Sequence, residues 1–430
     1  MRTLQLFLLL ILSATVQAQN VLTLDKAVNI ALKNNFDILV SRNDADMDQI
    51  NNTPGNAGML PTINLNGSGG YEYNNVYQKN SSGITKYPNQ SSTSLNANVE
   101  LSWTLFDGGK MFVTKNKLNQ IQALGELQFQ TKVQETMYNV IAAYYDVVRQ
   151  KQQLSSINEA ISYNKERVTI AQTGFNAGTL AKTDLLQAKI DLNVEMESAI
   201  DQQNTISESL KTLNSILGEE DPTIKFDISD SIPLQYSPDR DELLRKLNSS
   251  NTSILSFQKQ IEISQLALKE SQKDKLPTLQ LNGGYYLSQA INSEGSTLKN
   301  RTYGPQIGMT LSIPLYNGGE TKRKISIARK EVQSSGYDME NVKLQVNIEL
   351  ENTLTDFDNQ RQLFLIEKSN NELAKENLDI CLQRLRLGQT TSLEVHQAQE
   401  SYVQSATRLT NFEYNLKIAE TKLKQLTTSL

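Results

Sequence analysis

The sequence predicts an α+β membrane protein built from a duplicated helix–strand–strand–helix–helix unit. Three observations carry that prediction. An export signal is followed by no apolar transmembrane helix; four segments of strand length alternate apolar and polar residues; and two proline-free helical stretches of about 65 to 70 residues recur, one in each half.

The export signal comes first. Arg2 supplies the positive end, Leu4 to Leu12 is an almost unbroken apolar run, and Val16-Gln17-Ala18 offers a small-residue cleavage site, so residues 1–18 read as a signal peptide. Beyond it no stretch of about 18 apolar residues occurs. A mature chain that crosses a membrane must then do so as a closed barrel, because only helices and closed barrels satisfy their backbone polar groups in lipid.

Comparing the chain with itself exposes the duplication. MLPTINLNGSGGYEY (Met59 to Tyr73) recurs as KLPTLQLNGGYYLS (Lys275 to Ser288), and LSWTLFDGG (Leu101 to Gly109) as LSIPLYNGG (Leu311 to Gly319). FNAGTLAKTDLLQAK (Phe175 to Lys189) aligns without gaps on LRLGQTTSLEVHQAQ (Leu385 to Gln399), and Asn34 to Ile38 falls opposite Ser250 to Ile254. The first repeat therefore spans 19–218, with strands at about 61–74 and 93–106 and a long helical hairpin over 109–217. A linker over 219–237, marked by GEEDP and further prolines, leads to the second repeat over 238–430. That repeat is expected to hold strands at about 277–288 and 303–315 and a hairpin over 319–428.

Within the first repeat, a leading helix is expected from Leu24 to Asn51, and Pro61 turns the chain toward extended geometry. Ile63, Leu65, Tyr71 and Tyr73 then point one way, and Asn64, Asn66, Ser68 and Glu72 the other. The second strand sets Leu95, Ala97, Val99, Leu101 and Trp103 against Asn96, Asn98, Glu100 and Ser102. Leu279, Leu281, Tyr285 and Leu287, and Ile307, Met309, Leu311 and Ile313, repeat the pattern in the other half, with polar loops expected over 74–92 and 288–302. Such strands suit a membrane barrel, lipid on one face and a wet lumen on the other; a soluble sandwich alternates in the same way. Four strands cannot close a barrel, since membrane barrels begin at about eight, so spanning strands require several chains.

The long helices show apolar residues at helical spacing, Val133, Met137, Val140, Tyr144 and Val147 in one and Val346, Leu350, Leu354 and Phe357 in the other. Each would reach roughly 100 Å at 1.5 Å per residue. Each turns back at a glycine, Gly178 or Gly388, into a return helix. A coiled-coil structural protein would share these helices without the strands.

Phe106-Asp107-Gly108-Gly109 and Tyr316-Asn317-Gly318-Gly319 each close a strand and open a helix, with Asp or Asn as the cap and glycine for the tight turn. Twice in register after LS-x-x-L, and together with TLDKAVNIALKNN (Thr23 to Asn35) and FNAG...TD (Phe175 to Asp184), these corners closely resemble the TolC-type outer membrane factor family. The resemblance covers nearly the whole mature chain. It implies a homotrimer whose four strands per chain complete one 12-stranded β-barrel continuous with a long α-helical barrel. It also implies location in the outer membrane, in contact with its lipid, and a periplasmic tunnel that docks a periplasmic adaptor (membrane fusion) protein and an inner-membrane pump of RND or ABC type. The implied function is efflux or type I secretion, with no cofactor, bound metal or catalysis.

The family also places a gate at the hairpin tips, where acidic side chains of the second hairpin ring the threefold axis. The family motif is G, five residues, D-V-L-D-A; here it reads Gly388, five residues, Glu394-Val395-His396-Gln397-Ala398. Glu394 keeps the first carboxylate and Gln397 replaces the second, which implies one ring of three charges. A capping box, Thr391-x-x-Glu394, is the other reading of Glu394. Asp184 and Thr183 match latch positions, whose usual tyrosine and arginine partners fall at Leu385 and Thr390. His396, the only histidine, is either a solvated helix residue or a sensor of pH near 6.5. Gly178, Thr179, Gly388 and Gln389 at the tips are the candidates for adaptor docking.

Other classes find little support. With Lys+Arg at 42 against Asp+Glu at 47 the net charge is −5, and no basic face invites nucleic acid. One histidine, one cysteine (Cys381), no phosphate loop and no ligand cluster argue against an enzyme or a zinc site. The alternative function is a structural coiled-coil or adhesin-like surface protein without transport activity.

Overall fold

The computed structural model describes residues 21–229 and 231–430; the expected signal peptide lies outside them. The chain forms two compact units. A strand unit takes in Asp44–Leu127 and Ser256–Asn341, and a helical unit takes in the residues through Asn43, Gln128–Leu255 and Val342–Leu430. Among the described residues no helix is long and apolar enough to cross a membrane.

The strand unit is organised by one antiparallel sheet of β2 (Thr62–Asn80), β3 (Gly83–Phe106), β5 (Thr278–Asn292) and β6 (Lys299–Ser312), in the order β2-β3-β5-β6. Strand alternation and register put Leu65, Val99, Tyr285 and Pro305 in one row, beside a row of Ile63, Leu101, Gly283 and Ile307. The opposite face carries the row Asn64, Glu100, Gly284 and Gln306. Leu65 is 78% exposed and Ile307 82%, so the apolar face has no cover within this chain. Neither outer edge, β2 or β6, has a strand partner among the described residues.

Both expected loops are shorter than the sequence suggested. Residues 74–92 are mostly strand, because Pro88 and Asn89 fit a bulge and do not end the pairing: the register slips between Asn74 and Val76, Asn89 takes φ 62°, and its N–H donates to Asn75 Oδ1 at 2.8 Å. Likewise β5 runs on to Asn292 and β6 begins at Lys299, leaving residues 293–298 as the turn. β6 also stops at Ser312, short of the expected 315; Pro314, which lacks an N–H, lies just beyond.

In the helical unit, β1 (Val21–Leu22) pairs in parallel with β4 (Asp227–Ile228), so part of the 219–237 linker is held by the start of the chain. The expected leading helix is two helices, α1 (Leu24–Asn34) and α2 (Phe36–Asn51), broken at Asn35. Asn35 has extended ψ of 125°, its Oδ1 accepts from Ile38 N–H at 3.2 Å, and its Nδ2 donates to Ile216 O at 2.8 Å. Asn251 stands at the equivalent break between α5 (Arg240–Ser250) and α6 (Thr252–Lys273), accepting from Ile254 N–H at 3.1 Å and donating to Leu426 O at 2.9 Å. Each asparagine ends one helix, caps the next and ties the joint to a carbonyl far along the chain.

The long helices α3 (Lys110–Asn176) and α7 (Glu320–Arg386) are both 67 residues, and their return helices are α4 (Lys182–Leu217) and α8 (Ser392–Leu426). Before each long helix stand two glycines with positive φ, Gly108 and Gly109 or Gly318 and Gly319, a conformation that a Cβ opposes. One buried cluster packs Ala27 and Ala31 of α1, Val140, Tyr144, Val147 and Val148 of α3, Leu213 and Leu217 of α4, and Ile228 and Ile232 beyond it.

Candidate gate at the helix tips

The first hairpin turns where Gly178 takes φ 74°, and Thr179 folds its hydroxyl back to Gly174 O at 3.1 Å. α4 then begins without a side-chain cap at Ala181, and Asp184 reaches back to accept from Ala181 N–H at 3.3 Å. Thr183 is exposed. The second hairpin turns at Gly388, φ 67°, where Arg384 donates to Gln389 O at 3.0 Å. Thr391 caps α8 by accepting from Glu394 N–H at 3.3 Å, and the Thr390 hydroxyl donates to the Glu394 carboxylate.

Half of the expected capping box is therefore present. The threonine bonds the helix N–H, while the Glu394 carboxylate binds a hydroxyl in place of a backbone N–H and stays exposed, as does Gln397. Of the two positions where the latch partners would fall, Thr390 is engaged by Glu394. Leu385 is buried in a cluster with Leu378, Cys381, Leu382, Val395, Ala398 and Tyr402, so it packs the second hairpin and offers no polar group. Between the two tips runs a groove of about 660 Å³, lined by Ile170, Gly174, Thr179, Leu180, Leu385 and Leu387 among others.

Sequence reasoning missed the group that ties the hairpins together. Arg167 of α3 is 1% exposed; it donates to Asn164 Oδ1 at 2.9 Å, Asp191 Oδ2 of α4 at 3.0 Å, and Gln399 Oε1 of α8 at 3.3 Å. Ser392 Oγ, at the start of α8, accepts at 3.4 Å. Asp191 also accepts from Gln187 at 2.8 Å, and His396 Nδ1 lies 3.3 Å from its Oδ2. The signal was present: Ala160, Asn164, Arg167 and Ala171 share one buried stripe at spacings of four, three and four, so two polar residues sit at core positions. Further ties run from α3 to the second hairpin through Arg386–Glu166 and through Glu159, which accepts from Tyr402 at 2.5 Å and faces Lys375 at 3.4 Å.

Glu195, one turn beyond Asp191, is pushed above the usual carboxylate range by burial and then by the Asp191 charge, with His396 acting in the opposite sense. A carboxyl held up in the folded chain binds a proton there that the unfolded chain releases. Stability therefore rises as pH falls through the raised value, and the cost of the charged form is fully present above it. Glu195→Gln should raise the melting temperature of the purified protein at about pH 8 and flatten its rise on acidification toward about pH 5. Parallel melting curves for the two proteins at both pH values would rule this out.

The family model described as "Outer membrane efflux protein" matches residues 27–219 and 243–429. Outer membrane protein TolC of Escherichia coli (strain K12) is 22% identical over 394 residues, 89% of this chain and 76% of that protein. The proteases secretion protein PrtF of Dickeya chrysanthemi is 21% identical over 425 residues, 96% of this chain and 90% of its own. Among solved structures, the Campylobacter jejuni CmeC outer membrane channel superposes with a TM-score of 0.77 at 16% identity, covering 94% of this chain and 85% of that one. The outer membrane protein VceC of Vibrio cholerae gives 0.74 at 16% identity, covering 94% and 95%.

Proposed function

The chain belongs to the outer membrane efflux protein family, and from that premise we propose that it is the outer-membrane channel of a tripartite efflux or type I secretion system. The observation that carries this reading is the four-stranded sheet, open at both edges, apolar on one face and polar on the other. Such a sheet satisfies its edge N–H and C=O groups in lipid only by joining other copies. Three copies supply a 12-stranded barrel, within the range of membrane barrels. The apolar face then meets lipid and the row of Asn64, Glu100 and Gln306 lines the lumen.

On this reading the helix tips form the periplasmic gate. Glu394, exposed and held in place by Thr390 and Thr391, supplies one carboxylate per chain around the axis, with Gln397 one turn on. Asp184 and Thr183 begin the matching helix of the first hairpin. Gly178, Thr179, Gly388 and Gln389 are exposed at the two tips, and Thr179 and Gly388 line the groove between them; here a periplasmic adaptor would dock and lead to an inner-membrane pump of RND or ABC type. The family consists of channel proteins, and transport through this chain needs no chemistry from its side chains.

Extraction from outer membranes should yield a detergent-resistant trimer that conducts ions in planar bilayers; a soluble, non-conducting monomer would overturn the reading. Glu394→Ala removes the proposed ring of three charges. It should lower the cation-over-anion permeability ratio by about twofold or more and weaken block by divalent cations, since rings of carboxylates set cation preference in pores. Unaltered selectivity and block would remove Glu394 from the gate.

A further inference from the structure

Charge on the sheet is sorted by face. The line of register pairs on the apolar side runs Leu281–Met309, Gly283–Ile307, Tyr285–Pro305 and Leu287–Tyr303, then Gln289–Arg301 and Ile291–Lys299. The same side of β2 and β3 continues these rows with Ile63, Leu65, Gly67, Gly69 and Tyr71 and with Leu101, Val99, Ala97, Leu95 and Thr93. Among the described paired rows the charged side chains on the apolar face are thus all cations, Arg301 and Lys299 on β6, and Lys86 and Lys79 beyond the bulge in the β2–β3 hairpin. The carboxylates Glu72 and Glu100 stand on the polar face.

Arg301 and Lys299 lie at the hairpin end of the sheet, away from the strand ends that continue into helices. An aromatic band marks the level just below them. Tyr303 is 65% exposed, and the Arg301 guanidinium lies 5.7 Å from its ring centroid. At the opposite rim Trp103 pairs with Leu281 and donates to Met59 O at 3.0 Å. Tyrosine at one rim and tryptophan at the other are the two interfacial girdles of a membrane barrel. Among the described residues neither Arg301 nor Lys299 pairs with a carboxylate. Glu294, the nearest carboxylate in sequence, belongs to the exposed turn.

We propose that Arg301 and Lys299 form a binding site for the phosphorylated headgroup of an outer-leaflet glycolipid. The inference rests on the channel reading above, which sets the hairpin end outward. Two positions apart on one face, the two residues are roughly 7 Å apart along the strand, near enough for two side chains of this length to converge on one phosphate. The apolar rows beneath bury the acyl chains of the same lipid, and Arg supplies the planar fork that phosphate favours. Charge complementarity selects the occupant, because a cation pair without acidic partners at the lipid boundary attracts anionic headgroups.

The test uses native mass spectrometry of the detergent-purified protein incubated with bis-phosphorylated lipid A. Wild type should retain the lipid, and Lys299→Gln/Arg301→Gln should lose retention by about 30-fold, two factors of about five for two basic residues at an anionic surface. Dephosphorylated lipid A should bind wild type as weakly as the variant binds the phosphorylated form. Equal retention by the two proteins would overturn the site. Displacement of the lipid by millimolar inorganic phosphate would overturn the lipid as its ligand and assign the site to free phosphate. Pore formation by both proteins in planar bilayers reads the channel function separately, so a conducting wild type without lipid discrimination counts against the site alone.

Discussion

Replacing Arg167 by methionine should cost about 3–5 kcal/mol of stability in the helical unit, the range for breaking a buried ion pair by removing one partner. The loss is large because Asp191, 10% exposed, is left with Gln187 and a histidine that is charged only when protonated. Asn164 and Gln399 lose a donor in the same step. A double variant, Arg167→Met with Asp191→Leu, should recover most of the loss, since well-packed apolar replacements of buried ion pairs are often neutral. Chemical denaturation of the four proteins of this cycle measures the coupling. Arg167 also joins α3 to both α4 and α8, so the single variant should show larger and noisier single-channel currents as the tips lose their tie. An unchanged denaturation midpoint, or a double variant no better than the single, would show that the cluster is not a clasp.

The second large effect concerns the sheet. Val99 lies in the middle row of the apolar face between Leu65 and Tyr285, and Asn98, its neighbour in sequence, lies on the polar face between Asn66 and Tyr286. Val99→Arg should abolish assembly in outer membranes, at about 2–4 kcal/mol per chain for a cation at the bilayer midplane. Asn98→Arg adds the same charge one residue away and should leave trimer yield unchanged while lowering cation preference. Trimer recovery on unheated gels separates the two. Equal recovery would mean that the faces are misassigned.

The strand faces and the strand-to-helix corners were legible in the sequence because each rests on local geometry. A period of two sorts Leu65 from Asn64 whatever the rest of the chain does, and Asp-Gly-Gly and Asn-Gly-Gly need only their own turn. The long helices were legible for the same reason. Strand ends were less so: Pro88 and Asn89 read as loop residues, and only pairing across the hairpin shows that a bulge absorbs them. The break at Asn35 was hidden because its amide is satisfied by Ile216, 181 residues away. Arg167 was the largest omission. An arginine in a long polar helix reads as a solvated charge until Asp191 and Gln399 are brought to it by the return helices. His396 was noticed by its rarity, while its partner Asp191 stood in a run of ordinary polar residues.

The two asparagine joints also order the making of the protein. Each ties an early helix break to the last turn of the return helix in the same half, at separations of 181 residues for Asn35 and 175 for Asn251. Closing such spans is slow relative to forming the helices themselves. The first joint can form once Ile216 has been made, while much of the chain is still to come. The second waits for Leu426, so a chain cut short before that residue keeps the first joint and lacks the second. The order in which the two halves are fastened is thus set by how far along the chain each carbonyl partner lies.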